Sequence, residues 1–147
     1  MTAELVTVRP ADGPGEIAAA LELRRVVFVE EQGVRLAEDL DGRDDEALHL
    51  VAVEDDGTVI GTCRLLPAGE KIKLGRMAVT TSARRRGIAA ALLEAADAQA
   101  AALGGRRIVL AAQTYATALY ERAGYTPCGD VFLDAGIEHR RMEKRVA

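Results

Sequence analysis

Three consecutive arginines stand where the sequence changes from a strand pattern to a helix pattern. An apolar segment ends shortly before them at Val79, and a predicted helix begins directly after them at Gly87. Because a helix N-terminus carries unpaired N–H groups and a partial positive charge, arginines there are unfavourable unless an anion neutralises them. The segment therefore predicts a cradle for a pyrophosphate, with a solvated basic turn as the alternative. Its residues are Arg84, Arg85, Arg86, Gly87, Ile88 and Ala89.

A second charged segment is acidic and lies in a predicted loop of roughly 14 residues. Such segments are usually solvated surface, but a loop of this length favours a function. The charges would attract a cationic amine, and Asp39 and Asp41 are predicted to face this acceptor. In the alternative, they pair with an inward-pointing arginine of a strand, Arg64 or Arg76. The segment contains Glu38, Asp39, Asp41, Asp44, Asp45 and Glu46, relieved only by Arg43.

Length and composition exclude several functional classes. The chain has 147 residues, of which 49% are hydrophobic and 29% charged, so one globular domain over residues 1–147 is expected. A net charge of −4 and an aromatic content of 3% argue against nucleic acid as a partner. No stretch approaches the roughly 18 apolar residues that span a membrane, and no secretory pattern opens the chain. A cytoplasmic protein that does not bind membranes is expected.

The two cysteines do not indicate a metal site or a disulfide framework. Cys63 and Cys128 are too few and too far apart, and neither has a histidine or a second cysteine at metal-ligand spacing. Reduced thiols and no bound metal are therefore predicted.

The order of predicted elements indicates one sheet covered by helices. An opening strand and a long helix precede a meander of three strands, the first two joined by the turn Asp55-Asp56-Gly57. The apolar face of the next helix is predicted to include Leu92, Ala96 and Leu103. The predicted fold is α+β, a mixed and largely antiparallel sheet of six to seven strands flanked by about four helices. Helices are expected over residues 12–32, 87–103 and 114–123, and strands over 5–8, 49–54, 58–66, 72–80 and 107–112 and from about 125 and 137.

The basic segment resembles a known cofactor signature. Arg84-x-x-Gly87-x-Ala89, following a strand that ends at Val79, is similar to the acetyl-CoA-binding motif of the GNAT N-acetyltransferase superfamily. The run from Gln113 to Tyr125 resembles the second half of that superfamily's site, an Asn-x-x-Ala-x-x-Leu-Tyr-x-x-x-Gly-Phe pattern. Two positions depart from the family pattern, with Gln113 in place of the usual Asn and Thr81 in place of a common Pro.

The N-terminal half is similar to a bacterial GNAT subgroup. The resemblance lies in the segment from Arg24 to Gly33, in the acidic loop, in Leu48-His49 and in Gly136-Ile137-Glu138-His139. Acyl-homoserine-lactone synthases share this fold and a similar Arg-x-x-x-Phe helix and acidic loop, and would use S-adenosylmethionine with an acyl donor. The phosphate loop and Leu119-Tyr120 favour the acetyltransferase.

The resemblance implies a set of residues that bind acetyl-CoA. Backbone groups of β-strand residues before the basic segment would pair with the pantetheine arm, and N–H groups of the basic segment would hold the pyrophosphate. A donor near Val79 would stabilise the oxyanion of acyl transfer. The implied binding residues outside the basic segment are Met77, Ala78, Val79, Gln113, Ala116 and Tyr120.

The resemblance also implies proton-transfer groups. Tyr120 matches the family's acid, which gives a proton to the departing thiolate of CoA. For the base that takes the proton of the attacking amine, Glu31 is the first choice, acting directly or through water, and His49 and His139 compete with it.

The predicted function is transfer of an acetyl group from acetyl-CoA to a primary amine of a small molecule or a peptide. A non-catalytic acyl-CoA-binding module is the alternative, and a homodimer is an expectation at the family level. The residues predicted on the acceptor side are Asp39, Asp41, His49, Arg64, Arg76 and His139.

Overall fold

Seven strands form one mixed sheet in the computed structural model, which describes residues 5–146. The strand order is β1-β2-β3-β4-β5-β7-β6, and within these residues only β4 and β5 are parallel neighbours. The predicted sheet is confirmed. The strands are β1 Val6–Pro10, β2 Leu48–Glu54, β3 Val59–Ala68, β4 Lys71–Val79, β5 Arg107–Gln113, β6 Thr126–Asp134 and β7 Ile137–Arg145.

Helices connect these strands. The first predicted helix is helical throughout, but its last part, Arg25–Glu31, is a π-helix, and Gly33 ends it with a φ of +73°. The acidic loop holds a short helix and a single 3₁₀ turn, Asp44–Glu46, which the sequence pattern did not indicate. The α-helices are α1 Gly13–Arg24, α2 Leu36–Asp39, α3 Ile88–Ala102 and α4 Thr117–Arg122. No helix of the described part is long and apolar enough to cross a membrane.

The sheet is covered on both faces. One face, called the α3 face, carries the larger core, in which Leu92 and Ala96 of α3 are fully buried. On the other, called the α1 face, Ala20 and Leu23 of the first helix pack against strand residues. Leu103 was expected in the core but lies exposed, because α3 ends at Ala102. The absence of a side chain at Gly61 of β3 lets α3 approach the sheet closely, because a Cβ there would lie 2.8 Å from the Ile88 Cγ2 methyl.

β4 carries a bulge just before its C-terminal end. Thr62 pairs with Ala78 and Arg64 with Gly75, so Arg76 and Met77 together lie opposite Cys63. Arg76 has a φ of +55°, a left-handed conformation that costs a non-glycine residue about 1–2 kcal/mol. The bulge reverses the faces along β4. Ile72 and Leu74 point to the α3 face before it; beyond it Met77 and Val79 do so, and Ala78 packs on the α1 face.

β4 and β5 separate soon after they begin to pair. Lys71, Ile72 and Lys73 pair with residues 107–109 of β5, and the ladder ends there. The remainder of β4, which contains the bulge, and the end of β5 at Gln113 therefore border a gap in the sheet. The gap has the unpaired backbone edge that an extended ligand could pair with.

Candidate active site

The basic segment forms the turn between β4 and α3. Gly87 is the N-cap of α3 with a φ of +76°, and a Cβ placed there would meet no atom within 4 Å. Arg85 also has a positive φ, +64°. The first turn of the 15-residue helix α3 thus begins in open space, with N–H groups that an anion can approach. This position is adjacent in sequence to the open end of β4.

Two arginines of this turn, Arg84 and Arg86, have partners within the chain. Arg84 Nη2 donates to Glu31 Oε1 at 2.8 Å, and Arg84 Nε donates to the Val79 carbonyl oxygen at 3.0 Å. Arg86 Nη2 lies 3.8 Å from Glu54 Oε2. The argument that only an external anion could neutralise this segment is therefore wrong for Arg84, whose charge Glu31 meets. The case for an anion site rests on the open turn and the helix N-terminus instead.

Tyr120, a residue of α4, is buried in the core on the α3 face. It is 7% exposed, and its ring meets the Tyr125 ring edge-on, with centroids 5.9 Å apart. Burial raises the pKa of Tyr120 above its usual value, so the hydroxyl keeps its proton at neutral pH. Cys63 is also buried, and burial raises the pKa of its thiol to about 12, which removes it as a nucleophile.

Glu31 stands at the end of the first helix, beside the turn that precedes α3. Besides the bond from Arg84, Glu31 Oε2 accepts a hydrogen bond from Thr81 Oγ1 at 3.3 Å. The Glu31 side chain is about one-third exposed, so water reaches it. The structure thus brings the predicted base and the predicted cofactor segment into direct contact.

The two histidines occupy different environments. His49 is buried on β2, and its Nε2 donates to the Asp44 carbonyl oxygen at 2.9 Å, so it holds the acidic loop. His139 Nδ1 donates to the Ile137 carbonyl oxygen at 2.7 Å, so in the neutral ring the lone pair lies on Nε2. His139 pairs directly with Gln113 across β5 and β7. The structure therefore places His139, but not His49, beside the end of β5.

An amide pair links the first helix to β5. Gln113 Nε2 donates to Gln32 Oε1 at 2.8 Å, and Gln32 Nε2 lies 3.5 Å from the hydroxyl of the exposed Tyr115. Gln113 therefore reaches the α1 face, toward the first helix, while the predicted arm contact Ala116 packs against the core. The sequence pattern did not single out Gln32 or Tyr115, because their contacts join segments more than 80 residues apart.

The acidic loop is held by two buried arginines, Arg24 and Arg64. Arg24 of α1 donates to Asp44 Oδ1 at 2.6 Å and to the Asp39 carbonyl oxygen at 2.9 Å. Arg64 of β3 donates to Asp44 at 2.9 Å and also pairs with Asp41. These contacts match the alternative prediction, in which the acidic residues pair with an inward-pointing arginine of a strand. Arg24 was missed, although it lies four residues after the buried Ala20 and three before the buried Val27.

Acid is expected to destabilise the folded protein. Hydrogen bonds from Arg64 lower the pKa of Asp41, and although burial alone would raise the pKa of Asp44, bonds from Arg24 and Arg64 outweigh it and lower it. Because both pKa values are lower in the folded than in the unfolded chain, this stabilisation is complete above the unfolded value of about 3.9 and is lost as pH falls below it. In thermal melts, the contribution of these two carboxylates to the Tm should stay constant near pH 6, and the Tm should fall below pH ~4.

Asp44→Asn provides the control for this acid sensitivity. The variant should melt lower than the parent at pH 7 and show a smaller further loss on acidification, because one of the titrating carboxylates is gone. A parent Tm that is equal at pH 3 and pH 7 would contradict the assignment.

Comparison with known proteins identifies the family. The sequence model of the acetyltransferase (GNAT) domain matches residues 25–146. The chain belongs to the GNAT acetyltransferase family. It is 35% identical over 130 residues to the uncharacterized N-acetyltransferase YjcF of Bacillus subtilis strain 168, covering 88% of this chain and 92% of that protein.

Solved structures agree with the GNAT assignment. An acyl-CoA N-acyltransferase from Pseudomonas aeruginosa superimposes with a TM-score of 0.82 at 30% identity, covering 95% of this chain and 98% of the other. An aminoglycoside 6'-N-acetyltransferase complexed with coenzyme A gives a TM-score of 0.77 at 20% identity, with 96% and 97% covered, and shows the shared fold. The GNAT chain described here is thus an acyltransferase by family.

Within this GNAT fold, the candidate site residues lie on two sides of one gap. Tyr120 belongs to the α3 face, whereas Glu31, Gln113 and His139 belong to the side of the first helix. The gap between β4 and β5 lies between them. A metal has no evident place in the described range, where no group of three or more His, Cys, Asp or Glu side chains is arranged to hold an ion.

Proposed function

We propose that this GNAT chain transfers an acetyl group from acetyl-CoA to a primary amine of a small molecule or peptide. The observation that carries the proposal is the gap between β4 and β5, which opens beside the turn at Gly87. An extended pantetheine arm fits the unpaired β4 edge, and a pyrophosphate fits the open N-terminus of α3. The coenzyme A bound to the related 6'-N-acetyltransferase supports the choice of cofactor.

In this proposal the chain binds the thioester through its backbone. Met77, Ala78 and Val79 pair with the arm, and N–H groups from Arg84 to Ala89 hold the pyrophosphate. The amine nitrogen bonds to the acetyl carbon, the carbon–sulfur bond breaks, the amine loses one proton and the thiolate gains one. An N–H group of the β4 edge near Val79 would stabilise the oxyanion, which is often the largest single contribution to acyl transfer.

Tyr120 is the proposed acid. Its hydroxyl carries a proton at neutral pH, and its position on the α3 face, opposite the side of Glu31, supports donation to the departing thiolate. Glu31 is the proposed base, acting directly or through one water, since it is the partly exposed carboxylate at the edge of the site. Acid and base then act from opposite sides of the sheet.

Three experiments on the purified protein test the function. Mass spectrometry of the protein under native conditions should detect co-purifying CoA, and titration calorimetry should show acetyl-CoA binding. An amine panel assayed for free thiol should then find turnover with at least one acceptor. Binding without any turnover across a broad panel would favour the non-catalytic acyl-CoA module, and the absence of binding would overturn the proposal. The homodimer and the cytoplasmic location stay predictions.

A pair of variants decides which group is the base. Glu31→Gln should lower kcat/KM by about 10- to 100-fold, below the usual contribution of about 10²- to 10⁴-fold, because water can relay part of the proton transfer. His139→Gln, which keeps a polar side chain of similar size, should change it less than threefold. Steady-state kinetics with the acceptor found above measure both. The reverse result would move the base to His139, whose Nε2 lone pair is retained.

A further inference from the structure

Arg76 combines a strained backbone with a heavily bonded side chain. Its φ of +55° lies inside a strand, in a conformation that L residues rarely adopt and that persists only where the surroundings impose it. The residue before it, Gly75, keeps an ordinary conformation, and a Cβ there would meet nothing within 4 Å. The strain is therefore placed on an arginine, although the neighbouring glycine would accept it at lower cost.

The Arg76 guanidinium joins β4 to the acidic loop. Nη2 donates to the Glu38 carbonyl oxygen at 3.1 Å, to the Asp39 carbonyl oxygen at 3.3 Å and to Asp41 Oδ2 at 3.3 Å. Nε also lies 3.3 Å from Asp39 Oδ1. The Arg76 side chain thus contacts three residues of the acidic loop, which is distant from β4 in the sequence.

The acidic loop is a fixed anchor for this side chain. Arg24 and Arg64 hold it from α1 and β3, as described above, and the Asp39 side chain is only 1% exposed. A carboxylate buried to this degree cannot meet an acceptor amine at the surface. Asp39 instead sets the position of the turn to which Arg76 is bonded.

The bulge decides which backbone groups face the gap. In an antiparallel pair, successive N–H groups alternate between the partner strand and the opposite edge. Removing the extra residue would shift the strand by one, exchange the N–H groups that point to β3 with those that point to the gap, and move Met77 and Val79 to the other face. The orientation of the thioester-binding edge thus depends on the bulge.

We propose that Arg76 is a positioning residue, which locks the β4 bulge to the acidic loop and thereby aims the backbone of Met77–Val79 into the gap. This inference rests on the proposed function for the identity of the ligand. It also gives the acidic loop a role, since Asp39 and Asp41 then act on the cofactor edge through Arg76 and not by binding the amine.

Arg76→Gly is the decisive variant. Glycine accepts the left-handed conformation without strain, so the substitution removes the anchor and not the ability to form the bulge. We expect kcat to fall about 10- to 100-fold and the Kd for acetyl-CoA to rise about tenfold. As a control, Val53→Ala removes a buried methyl pair on β2, away from the gap, and should lower Tm while kcat and Kd stay within twofold of the parent.

An NMR measurement separates this inference from the proposed function. In the parent, backbone contacts should report the pairing of Thr62 with Ala78, and they should weaken or disappear in Arg76→Gly but persist in Val53→Ala. Unchanged pairing together with unchanged kcat and Kd in Arg76→Gly would overturn the positioning role. If the parent bound no acetyl-CoA, the proposed function would fail, and the pairing measurement alone would still decide whether Arg76 holds the bulge.

Discussion

Replacing Gly87 with glutamate is expected to abolish acetyl-CoA binding and leave the fold intact. The added side chain meets no atom within 4 Å, so it does not disturb the core, although a φ of +76° makes any side chain there somewhat strained. Its carboxylate would stand where the pyrophosphate must approach. At about 5 Å and an effective dielectric constant of about 20, repulsion from one phosphate charge costs about 3 kcal/mol, or more than 100-fold in affinity.

Gly87→Gln is the matched control, because glutamine has the same size and the same backbone strain but no charge. Calorimetry should rank the parent above the glutamine variant and the glutamine variant well above the glutamate variant, while thermal melts show all three folded. Parent-like affinity in Gly87→Glu would mean that no phosphate group approaches this turn.

Local sequence signals were sufficient for much of the fold. The turn Asp55-Asp56-Gly57 marks the hairpin of β2 and β3, and apolar residues at helical spacing mark α3. Such features depend on neighbouring residues, whose types are visible in the sequence. The order of the last strands depends on distant residues instead, because β5 pairs with β7 and not with β6, the next strand in the chain. Pairing between distant segments leaves no local signature.

The candidate site, like the fold, was predictable only where the signal is local in the sequence. The turn around Gly87 could be predicted because a motif and a helix start coincide there. The bulge was missed, although the apolar positions change phase from Ile72 and Leu74 to Met77 and Val79, because the extra residue is defined only by the pairing with β3. The partners of Arg84 and Gln113 were equally hidden, since Glu31 and Gln32 meet them only after the first helix folds onto the sheet.

Tyr120→Phe is expected to lower kcat by about 10²- to 10⁴-fold, the usual contribution of a positioned acid. The substitution keeps the ring and its edge-on contact with Tyr125 and removes only the hydroxyl. Acetyl-CoA affinity and Tm should remain close to those of the parent, because the lost group acts when the thiolate departs and not when the thioester binds. Stopped-flow detection of the free thiol at saturating substrates measures the effect.

Tyr125→Phe supplies the control for this prediction. Its hydroxyl is also buried, has no hydrogen-bond partner among the described residues and belongs to the same aromatic pair, so its removal should leave kcat within about twofold. A loss confined to Tyr120→Phe then identifies proton donation, whereas equal small effects in both variants would identify packing. Because a free thiol has a pKa of about 8.5, the thiolate can also leave unassisted near neutral pH. A kcat within about threefold of the parent, with chemistry limiting the rate, would show that it does so and that Tyr120 only fills the core.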